Sequence, residues 1–299
     1  MSAVSEQPDW RTSNERGAPV LMRFMAWFIL AAGRRWARVM LPPIVLYYAV
    51  AVPRARRASR HFLERALGRK PGLIDLLRHL FSFAAVLVDR VYFVAGRYDA
   101  FEIRVFGQEA LDATLRSGGC VLLGSHLGSF EALRACGENA GGCDVVMIMD
   151  EANARKIRSV LLDVNPRASE SIVNVGDPAS ALHAKERLDA GALVGILGDR
   201  ARPGDKTIPL SFLGHPALFP LGPMSLTAAL RAPVFVGFGL YRGGNRYDIH
   251  FEQLTDRVEL PRDRRAEALA VLVEAYARRL QHYARLAPYN WFNFYDFWQ

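Results

Sequence analysis

The sequence is poor in lysine and in cysteine. Only four of its 38 basic residues are lysine, and the net charge is +8 at neutral pH over 299 residues. The three cysteines are odd in number and include no Cys-x-x-Cys pair. We therefore expect neither a disulfide framework nor a structural zinc site, and a reducing compartment is favoured.

Several common catalytic and binding motifs are also missing. There is no Gly-x-Ser-x-Gly elbow, no Gly-x-x-x-x-Gly-Lys-Ser/Thr loop, no His-Glu-x-x-His pair, and no Gly-x-Gly-x-x-Gly after a strand. Serine hydrolase, P-loop nucleotidase, zincin and the simplest dinucleotide-binding functions therefore lack their first requirement. The histidines other than His126, among them His79, have no metal-ligand spacing. We expect them to be surface or capping residues and expect no metal site.

No apolar run reaches the roughly 20 residues needed to cross a bilayer. The two most apolar stretches, 24–32 and 39–52, flank a basic patch, and two prolines interrupt the second. No acceptable signal-peptide cleavage site follows them. We interpret this region as an interfacial or re-entrant membrane anchor, with aromatic rings in the headgroup zone and arginines on lipid phosphates. The alternatives are an amphipathic helical pair packed on the protein's own core, and a tilted spanning segment.

Acidic residues are scarce at the start of the chain. Residues 1–70 hold 13 basic and 4 acidic residues, whereas residues 71–299 hold 25 and 26. The charge excess therefore lies outside the region expected to fold as a domain, which argues against a nucleic-acid partner and favours anionic membrane lipids. We divide the chain into a frayed terminus (1–17), a basic apolar membrane-associating helical segment (18–70) and a main domain (71–299).

From about residue 101, short β-rich runs alternate with helical stretches. This alternation predicts an α/β fold with a mixed, mostly buried sheet flanked by helices. The predicted strands are 101–106, 120–125, 144–149, 171–175, 192–197, 234–240 and 247–253. The predicted helices of this region lie near 129–140, 151–163, 178–190, 221–231 and 262–286, after two more within 53–95.

The segment 124–131, Gly-Ser-His-Leu-Gly-Ser-Phe-Glu, carries the most chemical information. His126 follows a buried strand and lies in a strand-to-helix turn, at the sheet edge where α/β proteins bind ligands. Glu131, in the first turn of the helix, can accept from one ring nitrogen and leave the other as a proton acceptor if His126 folds back over the helix start. Gly128 is expected to let the backbone approach a ligand. The alternative is a histidine that caps a core turn, with Glu131 solvated.

This segment resembles the His-x4-Glu signature of the bacterial lipid A biosynthesis acyltransferases, a branch of the lysophospholipid acyltransferase superfamily. The likeness continues through 192–200, 212–214, 220–223 and 232–234, and covers roughly residues 20–298. It implies an αβα sandwich that transfers an acyl chain from a thioester of acyl carrier protein or coenzyme A to a hydroxyl of a lipid or glycolipid. No cofactor is implied, and the cytoplasmic face of the bacterial inner membrane is the expected location.

The resemblance also implies roles for individual residues. His126 would be the general base, oriented by Glu131, and the backbone amides of Gly128 and Ser129 are candidate donors to the tetrahedral oxyanion. Two arginines that follow predicted strands, at 158 and 200, suit phosphate or carboxylate recognition. The residues expected to bind substrate are Ser125, Gly128, Arg158, Asp199 and Arg200.

Some features depart from the family patterns and leave the acceptor open. Ser125 and Glu131 stand where the phospholipid-forming branch has Asn and Asp, and its Phe-Pro-Glu-Gly-Thr-Arg-Ser block is missing, which argues against a glycerol-phosphate acceptor. The Leu-Gly-Asp-Arg run at 197–200 and the aromatic tail, residues 288–298, resemble relatives from aryl-polyene and polyketide pigment clusters. The tail could lie at a membrane interface or close the core. A non-catalytic lipid-binding protein with the same fold is a further alternative.

Overall fold

The computed structural model describes residues 18–139, 144–150, 172–175, 178–201, 204–258 and 262–298. Its helices are α1 (Ala18–Ala32), α2 (Arg34–Val39), α3 (Leu41–Ala51), α4 (Pro53–Leu67), α5 (Leu73–Val94), α6 (Gln108–Ser117), α7 (Phe130–Asn139), α8 (Pro178–Asp189), α9 (Gly222–Leu230) and α10 (Arg265–Leu286). Its strands are β1 (Glu102–Phe106), β2 (Cys120–Gly124), β3 (Val145–Asp150), β4 (Ile172–Val175), β5 (Leu193–Leu197), β6 (Thr207–Phe212), β7 (His215–Pro220), β8 (Val234–Tyr241) and β9 (Arg246–Thr255).

Seven of these strands form one sheet, in the order β1-β9-β8-β2-β5-β3-β4. Neighbouring strands run parallel except β8 and β9, which are antiparallel. The sequence-based prediction of a mixed α/β sheet is therefore confirmed. That prediction missed helix α6 and also missed the hairpin of β6 and β7. These two strands lie outside the seven-stranded sheet and pair with each other.

Helices cover both faces of the sheet. Strand β2 is buried along its whole length, and its side chains alternate between two apolar cores. Val121 and Leu123 belong to the core packed by α4, α8, α9 and α10, whereas Cys120 and Leu122 belong to the core packed by α1, α2, α5, α6 and α7. Burial on both sides explains why the β2 sequence is apolar throughout rather than alternating.

The parallel register places two chain segments side by side at one edge of the sheet. Gly124 at the end of β2 lies opposite Leu197 at the end of β5. The residues that follow these strands, including His126 and Asp199, therefore meet at the same carboxyl edge. Tyr241 ends β8, which also runs parallel to β2, so it lies at this edge as well.

The N-terminal helices pack against α5. Helix α3 buries one residue per turn, Leu41, Val45 and Ala49, and the last two contact Leu76 and Leu80 of α5. Among the described residues, no single helix has the length and apolar character needed to cross a membrane. Residues 34–51 together with Pro53–Leu67 meet those criteria only as a pair bent by 97°.

Two arginines of α2 bind a buried aspartate rather than extending outward. The guanidinium of Arg34 donates to both carboxylate oxygens of Asp89, at 2.7 and 3.0 Å, and that of Arg38 donates to Oδ2 at 2.9 Å. The Tyr247 hydroxyl donates to the same oxygen at 2.8 Å. The prediction that the arginines of this patch contact lipid phosphates is therefore wrong for these two, because both guanidinium groups are bound to Asp89 inside the fold.

The aromatic tail closes the core. The fully buried ring of Trp291 lies 5.0 Å from Phe62, 5.2 Å from Phe212 and 4.8 Å from Phe297, measured between ring centroids. The alternative of core closure is thus the one that the structure shows. His79 is also buried here, and both of its ring nitrogens have partners: one bonds the Ser59 hydroxyl and the other bonds the carbonyl of Trp291. The prediction of a surface or capping role for His79 is wrong.

Candidate active site

The turn between β2 and α7 is held against strand β8. Gly128 has φ = +79°, and a Cβ at this position would lie 2.0 Å from the carbonyl oxygen of Gly239. Glycine is therefore required twice over, for its backbone conformation and for the close approach. The backbone at Gly128 was predicted to approach a ligand, but in the structure it approaches strand β8. The buried Ser125 hydroxyl accepts from the Leu127 N–H at 3.2 Å, so Ser125 stabilises the turn.

The aromatic tail forms the other side of this turn. Trp291 pairs with Leu127 in an antiparallel bridge, and the Phe292 N–H donates to the His126 carbonyl at 3.0 Å. The Gly128 N–H donates to the Asn290 carbonyl, and the Ser129 N–H donates to the Gly239 carbonyl, each at 2.8 Å. The prediction that these two amides stabilise an oxyanion is wrong, because both already have backbone acceptors.

A buried carboxylate orients the His126 ring. The ring nitrogen Nδ1 lies 2.8 Å from Oδ1 of Asp199, and the backbone N–H of His126 donates to Oδ2 at 3.0 Å. The indole Nε1–H of Trp291 donates to the same Oδ2 at 3.0 Å. The Asp199 side chain is 0% exposed, whereas 29% of the His126 side chain reaches solvent. The Asp199 carboxylate thus holds His126 by both its ring and its backbone N–H. The imidazole is the member of this pair that reaches solvent.

The charges around this pair set its protonation. Burial alone would raise the pKa of the Asp199 carboxyl, but the charge and hydrogen bond of His126, with Arg200 and Trp291, lower it to about 2. Burial lowers the pKa of His126 below its usual 6.5, opposed by Asp199 and assisted by Arg200 and Arg90. An ionised carboxylate can only accept, so Nδ1 carries the proton of the neutral ring. Nε2 is then the free proton acceptor.

Glu131 does not perform the role predicted for it. Its Oε1 accepts from the Arg90 guanidinium at 2.6 Å, in an ion pair between α7 and α5. The prediction that Glu131 orients His126 is therefore wrong. The difference arises because the turn between β2 and α7 is bonded to the aromatic tail and to β8. The His126 ring therefore extends toward Asp199 at the end of β5 and does not fold back over the start of α7.

The other residues predicted to bind substrate have protein partners or fall outside the described residues. Asp199 belongs to the site, but as the partner of His126. The Arg200 guanidinium donates to Asn293 Oδ1 at 2.7 Å and to the Phe292 carbonyl at 2.9 Å, so it fastens the tail. Arg158 lies outside the described residues. Within the residues that the structure does describe, no group of three or more His, Cys, Asp or Glu side chains could hold a metal ion.

Sequence reasoning missed two residues of this site. Trp291 was noted only as one ring of an aromatic tail, and nothing in the sequence connected an indole near residue 290 to an aspartate near residue 200. Arg90 lies within a helix that reads as ordinary core packing. Comparison with known proteins finds no family model that matches the chain and no curated protein that matches it.

Proposed function

We propose that the protein is a membrane-associated O-acyltransferase, with His126 as general base and Asp199 as the residue that orients it. The observation that carries the proposal is the buried Asp199 carboxylate, 2.8 Å from Nδ1 of a partly exposed imidazole. This arrangement holds a neutral base with Nε2 available to a substrate. The resemblance of segment 124–131 to the acyltransferase signature supports the choice of reaction.

The reaction needs only proton transfer and an activated acyl donor. Nε2 of His126 takes the proton of the acceptor hydroxyl as its oxygen attacks the thioester carbonyl carbon. The tetrahedral intermediate then expels the thiolate, which takes the proton back from the imidazolium, giving an ester and a free thiol. The charge of Asp199 stabilises the imidazolium between these steps, and a positioned base contributes about 10²–10⁴ in rate.

The substrates are proposed on the resemblance alone. The donor is an acyl thioester of acyl carrier protein or coenzyme A, and the acceptor is a lipid or glycolipid hydroxyl of the lipid A precursor type. Within the same chemistry, an aryl-polyene or polyketide-derived lipid is the second acceptor candidate. The Leu-Gly-Asp-Arg run that favours this candidate holds Asp199 and Arg200, which the structure joins to His126 and to the aromatic tail.

The test is acyl transfer from labelled acyl-carrier-protein and coenzyme A thioesters to lipid acceptors of both classes, with the purified protein in detergent. His126→Ala should lower turnover by at least about a hundredfold. His183→Ala is the matched control, since this histidine is exposed on α8, and it should behave as wild type. Wild-type turnover in His126→Ala would overturn the proposal and favour a lipid-binding protein that retains the fold.

Membrane association is the second part of the proposal. Helices α2 and α3, with the residue between them, expose large apolar side chains that the fold does not cover. Their exposed fractions run from 52% to 68% for Trp36, Val39, Met40, Leu46, Tyr47, Tyr48 and Val50. Uncovered apolar surface of this density favours contact with a lipid or protein surface. Arg38 of α2 bonds the hydroxyl of Tyr241 at 2.9 Å. This contact lies at the sheet edge that carries His126, which supports a lipid surface and a substrate site on the same side of the protein.

Vesicle flotation tests this part. A double variant, Tyr47→Ser with Val50→Ser, should weaken binding to vesicles that contain phosphatidylglycerol by at least about tenfold, because two exposed apolar side chains are removed. Leu218→Ser on β7 removes an exposed apolar side chain from a different region and should leave binding unchanged. Equal binding by all three proteins would contradict the assignment of α3 to the membrane.

A further inference from the structure

A tryptophan completes the hydrogen bonding of the carboxylate that orients His126. Oδ1 of Asp199 faces the imidazole, and Oδ2 accepts both the His126 backbone N–H and the Trp291 indole N–H, each at 3.0 Å. Asp199 and Trp291 are both fully buried. Building on the proposed function, we infer that Trp291 is a positioning residue that fixes the Asp199 carboxylate and, through it, the orientation and proton affinity of His126.

The indole is suited to this role because it is rigid and can only donate. Its ring is enclosed by Phe62, Phe212 and Phe297, which leave it little freedom to rotate. A donor held in this way opposes rotation of the Asp199 carboxylate, since rotation would give up a hydrogen bond in a low-dielectric interior. The tilt of the imidazole is thus set by the packing of aromatic rings around Trp291.

The indole acts separately from the backbone of the tail. The bridge between Leu127 and Trp291 and the bond from the Phe292 N–H to the His126 carbonyl involve main-chain atoms only. A change of the Trp291 side chain therefore leaves the pairing of the tail with the catalytic turn in place. The effect of the indole on Asp199 can be measured without dismantling the turn.

Loss of the indole donor should shift the pKa of His126 in one direction, whereas a general loss of stability should not shift it. The charged groups that act on His126 are Asp199 and Arg200 after β5 and Arg90 on α5. Without the indole, the Asp199 anion has one donor fewer and attracts the imidazolium proton more strongly. The pKa of His126 then rises, and the acid limb of the pH–rate profile moves to higher pH. A variant that is merely less stable leaves that limb where it was.

The experiment compares Trp291→Phe with Trp298→Phe. Trp298 packs in the same aromatic cluster, and its indole donates to the Phe212 carbonyl at 3.1 Å rather than to Asp199. Histidine-labelled protein in detergent gives the pKa of His126 by NMR without substrate. Trp291→Phe should raise that pKa by about half a unit and lower kcat about tenfold to a hundredfold, with KM within about twofold. Trp298→Phe should change neither.

A second replacement keeps the inference testable if Trp291→Phe fails to fold. Benzothienylalanine at position 291 keeps the bicyclic shape and substitutes sulfur for the N–H, so it should give the same shift in pKa and loss of kcat. Folded protein with an unchanged His126 pKa and unchanged kcat would overturn the inference. A shifted pKa alongside full turnover in His126→Ala would instead uphold the positioning of His126 and overturn the proposed reaction.

Discussion

Asp89 and Asp199 make a useful comparison because both are 0% exposed and both accept several hydrogen bonds. Asp89 is held by Arg34, Arg38 and Tyr247, and it joins α2 to α5 and β9. Asp199 is held by His126 and Trp291. Guanidinium groups keep their charge at every physiological pH, whereas an imidazole gains and loses a proton near neutrality. Burial makes both carboxylates strong partners, and the partner decides whether the pair only fastens a helix or can also move a proton, as proposed for His126.

Replacing each aspartate by asparagine should affect a different property, activity at Asp199 and stability at Asp89. The largest effect is expected on the activity of Asp199→Asn. Asp199→Asn presents an amide N–H to Nδ1 of His126 and so favours the tautomer whose Nε2 carries the proton. We expect kcat/KM for acyl transfer to fall by about 10²–10⁴, with the protein still folded by circular dichroism. A folded Asp199→Asn enzyme with wild-type kcat/KM would show that this carboxylate does not serve the base.

Asp89→Asn should instead weaken the fold. The variant leaves two largely buried guanidinium groups without their carboxylate, and breaking a buried pair in this way costs about 3–5 kcal/mol. Denaturant unfolding in detergent should show that loss of free energy, whereas turnover per folded molecule should stay close to wild type. Asp263→Asn is a suitable control, because that carboxylate is exposed. An Asp89→Asn protein as stable as the control would refute a stabilising role for the cluster.

The pH dependence should separate the two sites further. Nε2 must be unprotonated to act as a base, so activity falls as the pH decreases through the pKa of His126. Burial lowers that pKa below 6.5, so we expect the half-maximal pH of acyl transfer to lie below 6.5 and the transfer to persist in mild acid. Asp89→Asn should keep this midpoint. Asp199→Asn should move it to lower pH, because the negative charge that favours the imidazolium is gone. Equal midpoints in all three proteins would contradict the assignment.

The smallest effect is expected at Glu131. Its partner Arg90 is one of the charges that lower the pKa of His126, and Glu131→Gln leaves that charge uncompensated. We expect kcat/KM to change by less than about tenfold, since partly exposed ion pairs contribute little, and the acid midpoint to move to lower pH. A loss in Glu131→Gln as large as that in Asp199→Asn would reverse the ranking of the two carboxylates and favour the role first predicted for Glu131.

Much of the fold could be predicted from the sequence, because the buried strands are recognisable as short apolar runs. Runs such as 120–125 are apolar on both faces, and the glycines at 68 and 72 separate α4 from α5. The β6–β7 hairpin was missed because Pro209, Pro216 and Pro220 interrupt its pattern. Helix α6 was missed because it is only ten residues long and Leu111 is its one fully buried residue.

The site was predicted only in part. The position of His126 after β2 could be read from local sequence, since it needs only a strand and a turn. Its partner could not, because the choice between Glu131 and Asp199 depends on which way the turn faces, and that direction is set by contacts with Gly239 and with the tail. The resemblance to the His-x4-Glu signature favoured Glu131. Pairing between β2 and β5 instead brings Asp199, rather than Glu131, next to the His126 ring.

The bridge between Leu127 and Trp291 also has a consequence for the order in which the protein is made. The ribosome synthesises His126, Asp199 and then the tail, so the nascent chain holds the imidazole and its carboxylate partner long before the segment that secures them. Helices α1–α3 emerge before all of these residues, and the strand-like pairing of Trp291 with the turn at Leu127 can form only after residue 291 has been synthesised. A function that depends on the ordered pair of His126 and Asp199 therefore begins only after helices α1–α3 have had time to reach their final surroundings.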